Sequence, residues 1–100
     1  MSAPSKYRSR IRIIADILAV IRDHGGRARP TKIMYLANLS YERLQRYLSD
    51  MMSMGLIEEE KTGYEGDREV VYYKLTDKGL KFLLEVEKFK AFAEAFGLEL

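Results

Sequence analysis

An α+β fold, mainly α, is predicted by three features of this 100-residue chain. The stretch from Thr31 to Leu48 reads as a short helix, a tight turn and a second helix. Two strand-like runs follow, Leu56 to Lys61 and Glu69 to Leu75, with a glycine-containing link between them. Longer helical patterns flank this unit on both sides. In that order the elements predict a winged helix-turn-helix, three helices plus a β-hairpin wing, followed by a C-terminal dimerisation helix. The predicted organisation is a disordered tail over residues 1–7, the winged unit over 8–76 and the last helix over 77–100.

The first helix is expected from about Arg8 to His24. Ile11, Ile14, Leu18 and Ile21 form one stripe at helical spacing, and Ile13, Ile17 and Val20 form a second beside it. Only Arg12, Asp16, Ala19 and Asp23 remain as a narrow polar strip. A surface helix ordinarily has one apolar face. Two faces exceed the needs of a small core, so Ile13, Ile17 and Val20 are expected against another subunit. The helix stops at Gly25 and Gly26, where glycine accepts the left-handed conformation.

The second helix is expected from Thr31, as its cap, to Ala37, with Ile33, Met34 and Ala37 facing inward. Asn38 and Leu39 make the turn: Asn tolerates unusual backbone angles, and Leu39 plugs the core beneath. Ser40 caps the third helix, which runs to about Met54 before Gly55. Tyr41, Leu44, Leu48 and Met51 share its inner face, flanked by Tyr47 and Met52. Glu42, Arg43, Arg46, Ser49 and Asp50 lie opposite, with Gln45 at the border.

In the wing, Thr62 to Arg68 reads as a hairpin loop longer than a minimal turn. Thr76 caps the last helix, about Asp77 to Phe96, which Gly97 ends. Phe82, Val86, Phe89, Ala93 and Phe96 recur at alternating steps of four and three, the spacing of a coiled-coil seam. Leu80, Leu83 and Leu84 widen the stripe near its start. The early part, to Val86, is within reach of the domain's own core. Phe89, Phe92 and Phe96 lie beyond it, and exposed at that density they favour association. A homodimer is the economical solution.

There is no cysteine, which excludes disulfides and thiolate metal sites. No apolar run approaches the ~20 residues of a membrane span, and the polar N-terminus lacks a signal-peptide core. A soluble, cytoplasmic protein is expected, with no membrane partner. The net charge of +2 conceals an asymmetry. Residues 1–50 carry ten Lys/Arg against four Asp/Glu, and residues 51–100 carry seven against eleven. The basic half is the half with the helix-turn-helix.

No catalytic constellation accompanies this pattern. His24, the one histidine, sits at a helix end, where it caps carbonyls. Glu58, Glu59 and Glu60 alternate across a strand and form no paired acid/base site. Gly63 and Gly66 belong to the wing rather than to a phosphate-binding loop. The reading is a non-enzyme with no cofactor, no metal and no small-molecule partner.

A helix-turn-helix holds one helix where it can enter a DNA major groove. On that reading Arg43, Gln45 and Arg46 face base edges, since arginine suits guanine and glutamine suits adenine. Ser40, Lys32 and Arg29 lie where phosphates would pass. Tyr41 has two readings, core packing or a hydroxyl reaching a phosphate. Arg27, Lys6, Arg8 and Arg10 are either backbone contacts or solvated charge. Lys61, Tyr64 and Arg68 are the wing candidates. Glu42 either complements the helix dipole or accepts from a cytosine amino group.

The segments Ile13–Leu18, Thr31–Tyr35 and Ala37–Tyr41 carry a resemblance. It continues through Leu44, Tyr47, Leu48, Gly55 and Leu56 to the motif Leu75–Gly79. The chain resembles the small dimeric winged-helix DNA-binding proteins of crenarchaea, the ten-kilodalton, chromatin-associated class. The resemblance implies that two C-terminal helices pair as an antiparallel coiled coil, with a DNA-binding unit at each end. It implies double-stranded DNA as partner, bound with low or unknown sequence preference. This chain departs from that pattern in a short last helix of about 20 residues, or ~30 Å, in Glu65 and Asp67 in the wing, and in Glu42 and Asp50 beside the arginines. Nucleoid architecture and transcription regulation both remain open. The alternative is a protein-interaction winged helix, a subunit of a larger assembly that uses its acidic wing and aromatic seam.

Overall fold

Ser9 starts the first helix of the computed structural model, which describes residues 8–99. The tail expected over 1–7, including Lys6, lies outside the described residues. The Ser9 hydroxyl accepts the Arg12 amide (3.2 Å) and opens α1 (Arg10–Asp23). Then follow β1 (Arg27–Ala28), α2 (Pro30–Leu36), α3 (Tyr41–Ser53), β2 (Ile57–Glu65), β3 (Arg68–Leu75) and α4 (Asp77–Ala95). The three strands form an antiparallel sheet in the order β1-β3-β2.

The four described helices all end in the same way. At α1 the Gly25 amide donates to the Arg22 carbonyl and the Gly26 amide to the Ile21 carbonyl. The same nested pair closes α2 at Asn38 and Leu39, α3 at Gly55 and Leu56, and α4 at Gly97 and Leu98. This is the Schellman motif, which satisfies carbonyls the helix itself leaves open. It requires a left-handed residue just past the cap. Asn38, at φ 55°, is the one non-glycine residue with positive φ among the described residues. Leu39 then drops into the core, so the turn both stops α2 and aims α3.

α1 is the central helix. α2, β1, β3 and α4 all pack against it. That corrects the expected subunit contact: Ile13 and Ile17 are fully covered within their own domain, and Val20 packs half-buried on the same core. Two apolar stripes are needed because α1 has neighbours on two sides. The stripe itself is displaced, with Ala15 inside and Ile11 exposed. Phe82 and Val86 likewise rest against this core, beside the buried Leu83, rather than on an outer seam. Ala93 is covered too, at the carbonyl that receives the Leu98 amide.

Four features differ from expectation. α2 begins at Pro30, with Arg29 as its cap and no side-chain capping bond, so Thr31 is already helical. Proline suits the first helical position because its φ is preset and its missing N–H costs nothing there. β1 was not expected, since two residues carry no periodicity. It exists because Arg27 and Ala28 pair with Lys74 and Tyr73. The wing loop is far shorter than Thr62–Arg68. The ladder runs on to Glu65 opposite Arg68, with a bulge between Lys61 and Gly63. Gly66 and Asp67 alone make the turn, with positive φ only at Gly66 (64°), as a type II′ hairpin requires. Tyr41 is 66% exposed and not part of the core.

The Leu75–Gly79 motif fastens α4 to the rest. The Thr76 hydroxyl accepts the Gly79 amide (2.9 Å) and donates to the Gly55 carbonyl (2.7 Å). The Thr76 amide donates to the Leu56 carbonyl (3.2 Å). A Cβ at Gly79 would collide with that same carbonyl oxygen. Farther along, Arg22 pairs with Glu87 (2.8 Å). Lys90 still lies beside Arg12 and Asp16 of α1, and the exposed Phe92 and Phe96 follow it; the longest extent of the molecule is 52 Å.

Two outcomes follow. Gly79→Ala forces backbone apart rather than shifting a flexible side chain, and is expected to destabilise by about 3 kcal/mol, the upper range for overpacking. Thermal unfolding would show this as a Tm loss on the order of 10–20 °C. The second concerns the buried Tyr73, whose hydroxyl donates to Glu59 (3.2 Å). Burial first, and then the Glu59 charge, push its phenol from 10.0 up to about 12. The folded state therefore keeps this proton to higher pH than the unfolded chain. The associated stability is intact below about pH 10 and is lost as pH rises toward about 12. Denaturant titrations across that window should fall less steeply for Tyr73→Phe than for the wild-type chain.

Candidate nucleic-acid interface

α3 is amphipathic, and its inner residues Leu44, Leu48 and Met51 lock its orientation. The Ser40 hydroxyl accepts the Arg43 amide (3.2 Å), which leaves its own hydrogen free to donate outward. Glu42, in the first turn, complements the positive end of the helix. The exposed part of α3 divides into two strips. Arg43, Arg46, Tyr47 and Asp50 recur at i, i+3, i+4 and i+7, while Glu42, Gln45 and Ser49 lie on the other side. The sequence-predicted probes Arg43 and Gln45 therefore flank the helix rather than share one line.

The first strip meets α1. Arg10, Arg43, Arg46, Tyr47 and Asp50 enclose a concavity of about 250 Å³. Arg10 pairs with Asp50 (3.2 Å) and lies 5.8 Å from the Tyr47 ring centroid. Asp50 thus anchors a third arginine beside the two on α3. Arg43 and Arg46 pair with no carboxylate among the described residues. An oxygen-rich anion entering here would meet up to three guanidinium groups, the geometry suited to phosphate. Sequence reasoning missed the Arg10–Asp50 pair, because forty positions separate its members.

Other basic residues are already engaged. Arg8 bonds Asp16 (2.8 Å) and the Asn38 carbonyl (3.0 Å), tying the start of the described chain to the helix-turn-helix turn. Arg27 pairs with Glu60 (3.0 Å) and lies over the Tyr72 ring, 3.9 Å from its centroid. Arg29 reaches Glu65 (3.4 Å), and Lys61 reaches Glu69 (3.6 Å). Lys32 is exposed and has no carboxylate partner among the described residues. Tyr64 and Arg68 stand exposed near the wing tip, and Tyr41 stands exposed at the start of α3. His24 caps α1, with Nδ1 2.7 Å from the Val20 carbonyl.

These pairings explain the acidic wing. Glu59, Glu60, Glu65 and Glu69 each have a partner on the sheet or beside it. Part of the wing's negative charge is thus neutralised locally, while Arg43, Arg46 and Lys32, beside the helix-turn-helix, pair with no carboxylate among the described residues. No group of His, Cys, Asp or Glu among the described residues could hold a metal ion. No described helix is long and apolar enough to cross a membrane.

Comparisons agree with this architecture. A structure of Sso10a-2, a DNA-binding protein from Sulfolobus solfataricus, superposes with a TM-score of 0.72 at 26% identity, over 89% of this chain and 85% of that one. AbsC, a MarR family transcriptional regulator from Streptomyces coelicolor, superposes with a TM-score of 0.66 at 25% identity, over 76% of this chain and 51% of that one. An uncharacterized protein of Methanocaldococcus jannaschii, MJ0287, is 34% identical over 58 residues, and the match spans 58% of each chain. A family model described as winged helix-turn-helix matches residues 7–94. The chain belongs to the winged helix-turn-helix family.

Proposed function

We propose that this chain is a homodimeric double-stranded DNA-binding protein, acting in nucleoid architecture or transcription regulation. The observation that carries the reading is the arginine cluster of Arg10, Arg43 and Arg46 around the exposed strip of α3. Arg43, Gln45 and Arg46 read base edges in the major groove. Ser40, Tyr41, Lys32 and Arg29 hold phosphates at the α2–α3 junction, with Lys61, Tyr64 and Arg68 as secondary contacts from the wing. The likeness to Sso10a-2, a DNA-binding protein, supports this assignment. The winged helix is a fold of binding proteins rather than enzymes.

The dimer reading rests on the far end of α4. Phe89, Phe92 and Phe96 are 55%, 60% and 68% exposed, and Leu98 lies beside them. Their rings already touch in series, with centroids 6.4 Å and 5.1 Å apart. A partner helix would remove this apolar surface from water. The interface is confined to this end, since Phe82, Val86 and Ala93 are engaged within their own chain.

Fluorescence anisotropy with a labelled duplex tests the first part. Affinity should fall steeply with salt, with a log–log slope near −0.9 per phosphate contact. Arg43→Ala with Arg46→Ala should weaken binding by about 10–100-fold. Absence of duplex binding at low salt would sink this reading and favour the protein-interaction alternative. Sedimentation tests the second part: wild type should be a dimer at micromolar concentration, and Phe89→Asp with Phe96→Asp a folded monomer. That monomer should bind DNA on the order of 100-fold more weakly, having lost the linked second site.

A further inference from the structure

A second concavity, of about 490 Å³, shares no residue with the one beside α3. It lies between the end of α1, β1, the first turns of α2 and the outer side of β3. Its volume falls within the range of small-molecule sites. We propose that it binds a small planar aromatic anion, and that this ligand competes with DNA for Arg29 and Lys32. The competition rests on the DNA-binding reading; the site itself does not.

Charge is the first argument. Arg27, Arg29 and Lys32 line the cleft, and no carboxylate does. Arg27 is committed to Glu60, and Lys74 also lies within 3.8 Å of that glutamate. Arg29 has only the long contact to the exposed Glu65, and Lys32 has no carboxylate partner among the described residues. Two cations are thus available to an incoming anion, and the Thr31 hydroxyl lies between them in sequence as a further donor.

Aromatic surface is the second. Tyr35 is 81% exposed on α2, and no packing role accounts for it. Arg27, in the same cleft, lies over the Tyr72 ring, and its pairing with Glu60 holds it there. The cleft therefore offers one free phenol ring and one fixed guanidinium–phenol pair. A flat ring gains from both, while its carboxylate or phosphate meets Lys32 and Arg29. An aliphatic anion would use only the charges, and a neutral ring only the walls.

Titration of the full chain by NMR, at constant ionic strength, tests the site with 1-naphthoate and with adenosine monophosphate. 1-Naphthalenemethanol and inorganic phosphate serve as ring-only and charge-only controls. At least one of the two aromatic anions should saturate, shifting amides of Thr31, Lys32 and Tyr35, and the tighter one identifies the source of the anion. Tyr35→Ala and Lys32→Gln should each weaken binding about tenfold, or ~1.4 kcal/mol. No saturation by either probe below about 10 mM, or equal binding by the controls or by Tyr35→Ala, overturns the site. The same probe should displace labelled duplex from wild type. Tyr35→Ala, which leaves every charge in place, should keep its duplex affinity and resist displacement. Saturable binding that leaves the duplex in place overturns the competition. Binding by a chain with no duplex affinity overturns the DNA reading and leaves the site standing.

Discussion

The architecture turns on a missing side chain. At Gly79 the first turn of α4 lies so close to the Leu56 carbonyl that a Cβ has no room. Thr76 exploits the approach, bonding the Gly55 carbonyl through its hydroxyl and the Leu56 carbonyl through its amide. One short segment thereby joins the end of α3, the start of β2 and the start of α4. The exposed strip of α3 and the direction in which α4 departs are both referred to that point. Without the close approach the last helix would lose its fixed angle to the helix-turn-helix.

Charge organises the surface more than its net value suggests. The chain is nearly balanced overall, and its wing is rich in carboxylates. Three of those carboxylates, Glu60, Glu65 and Glu69, pair with cations of the sheet and its border. Exposed pairs of this kind contribute little to stability individually. Their larger effect is to occupy Arg27, Arg29 and Lys61, while Arg43, Arg46 and Lys32 stay without a carboxylate partner among the described residues. Asp50 is part of that economy, since it draws Arg10 from α1 to the side of α3. A residue that lowers the local charge in a count raises the number of guanidinium groups gathered at one place.

Much of this was legible in the sequence, because helix ends and apolar spacing are local. The Ser40 and Thr76 caps, the Asn38 turn and the buried Leu39, Leu44 and Leu48 follow from residue type and period. What escaped was relational. Two stripes on α1 read as a subunit contact because a sequence does not show that one helix is wrapped on two sides. β1 has two residues and exists only through its partner strand. The wing lengthened at the expense of its predicted loop because cross-strand pairing outweighed the turn-forming residue Gly63, which is taken into the ladder opposite Val70. At the candidate interface, Arg43 and Arg46 were recognisable from helical spacing. The Arg10–Asp50 pair and the cleft walled by Tyr35 and Tyr72 join residues far apart in the chain, and spacing carries no trace of them.

α4 runs unbroken from Thr76 to Phe96, rooted at one end and free at the other. A continuous helix transmits rotation as well as distance: each residue adds about 1.5 Å and turns the next by about 100°. Its phenylalanine end is therefore held in a definite phase with respect to α3. A single inserted residue between Val86 and Phe89 would preserve composition and nearly preserve length. It would also point the aromatic surface in a new direction. The helix works as a gear tooth set at one angle, and the number of its residues sets that angle.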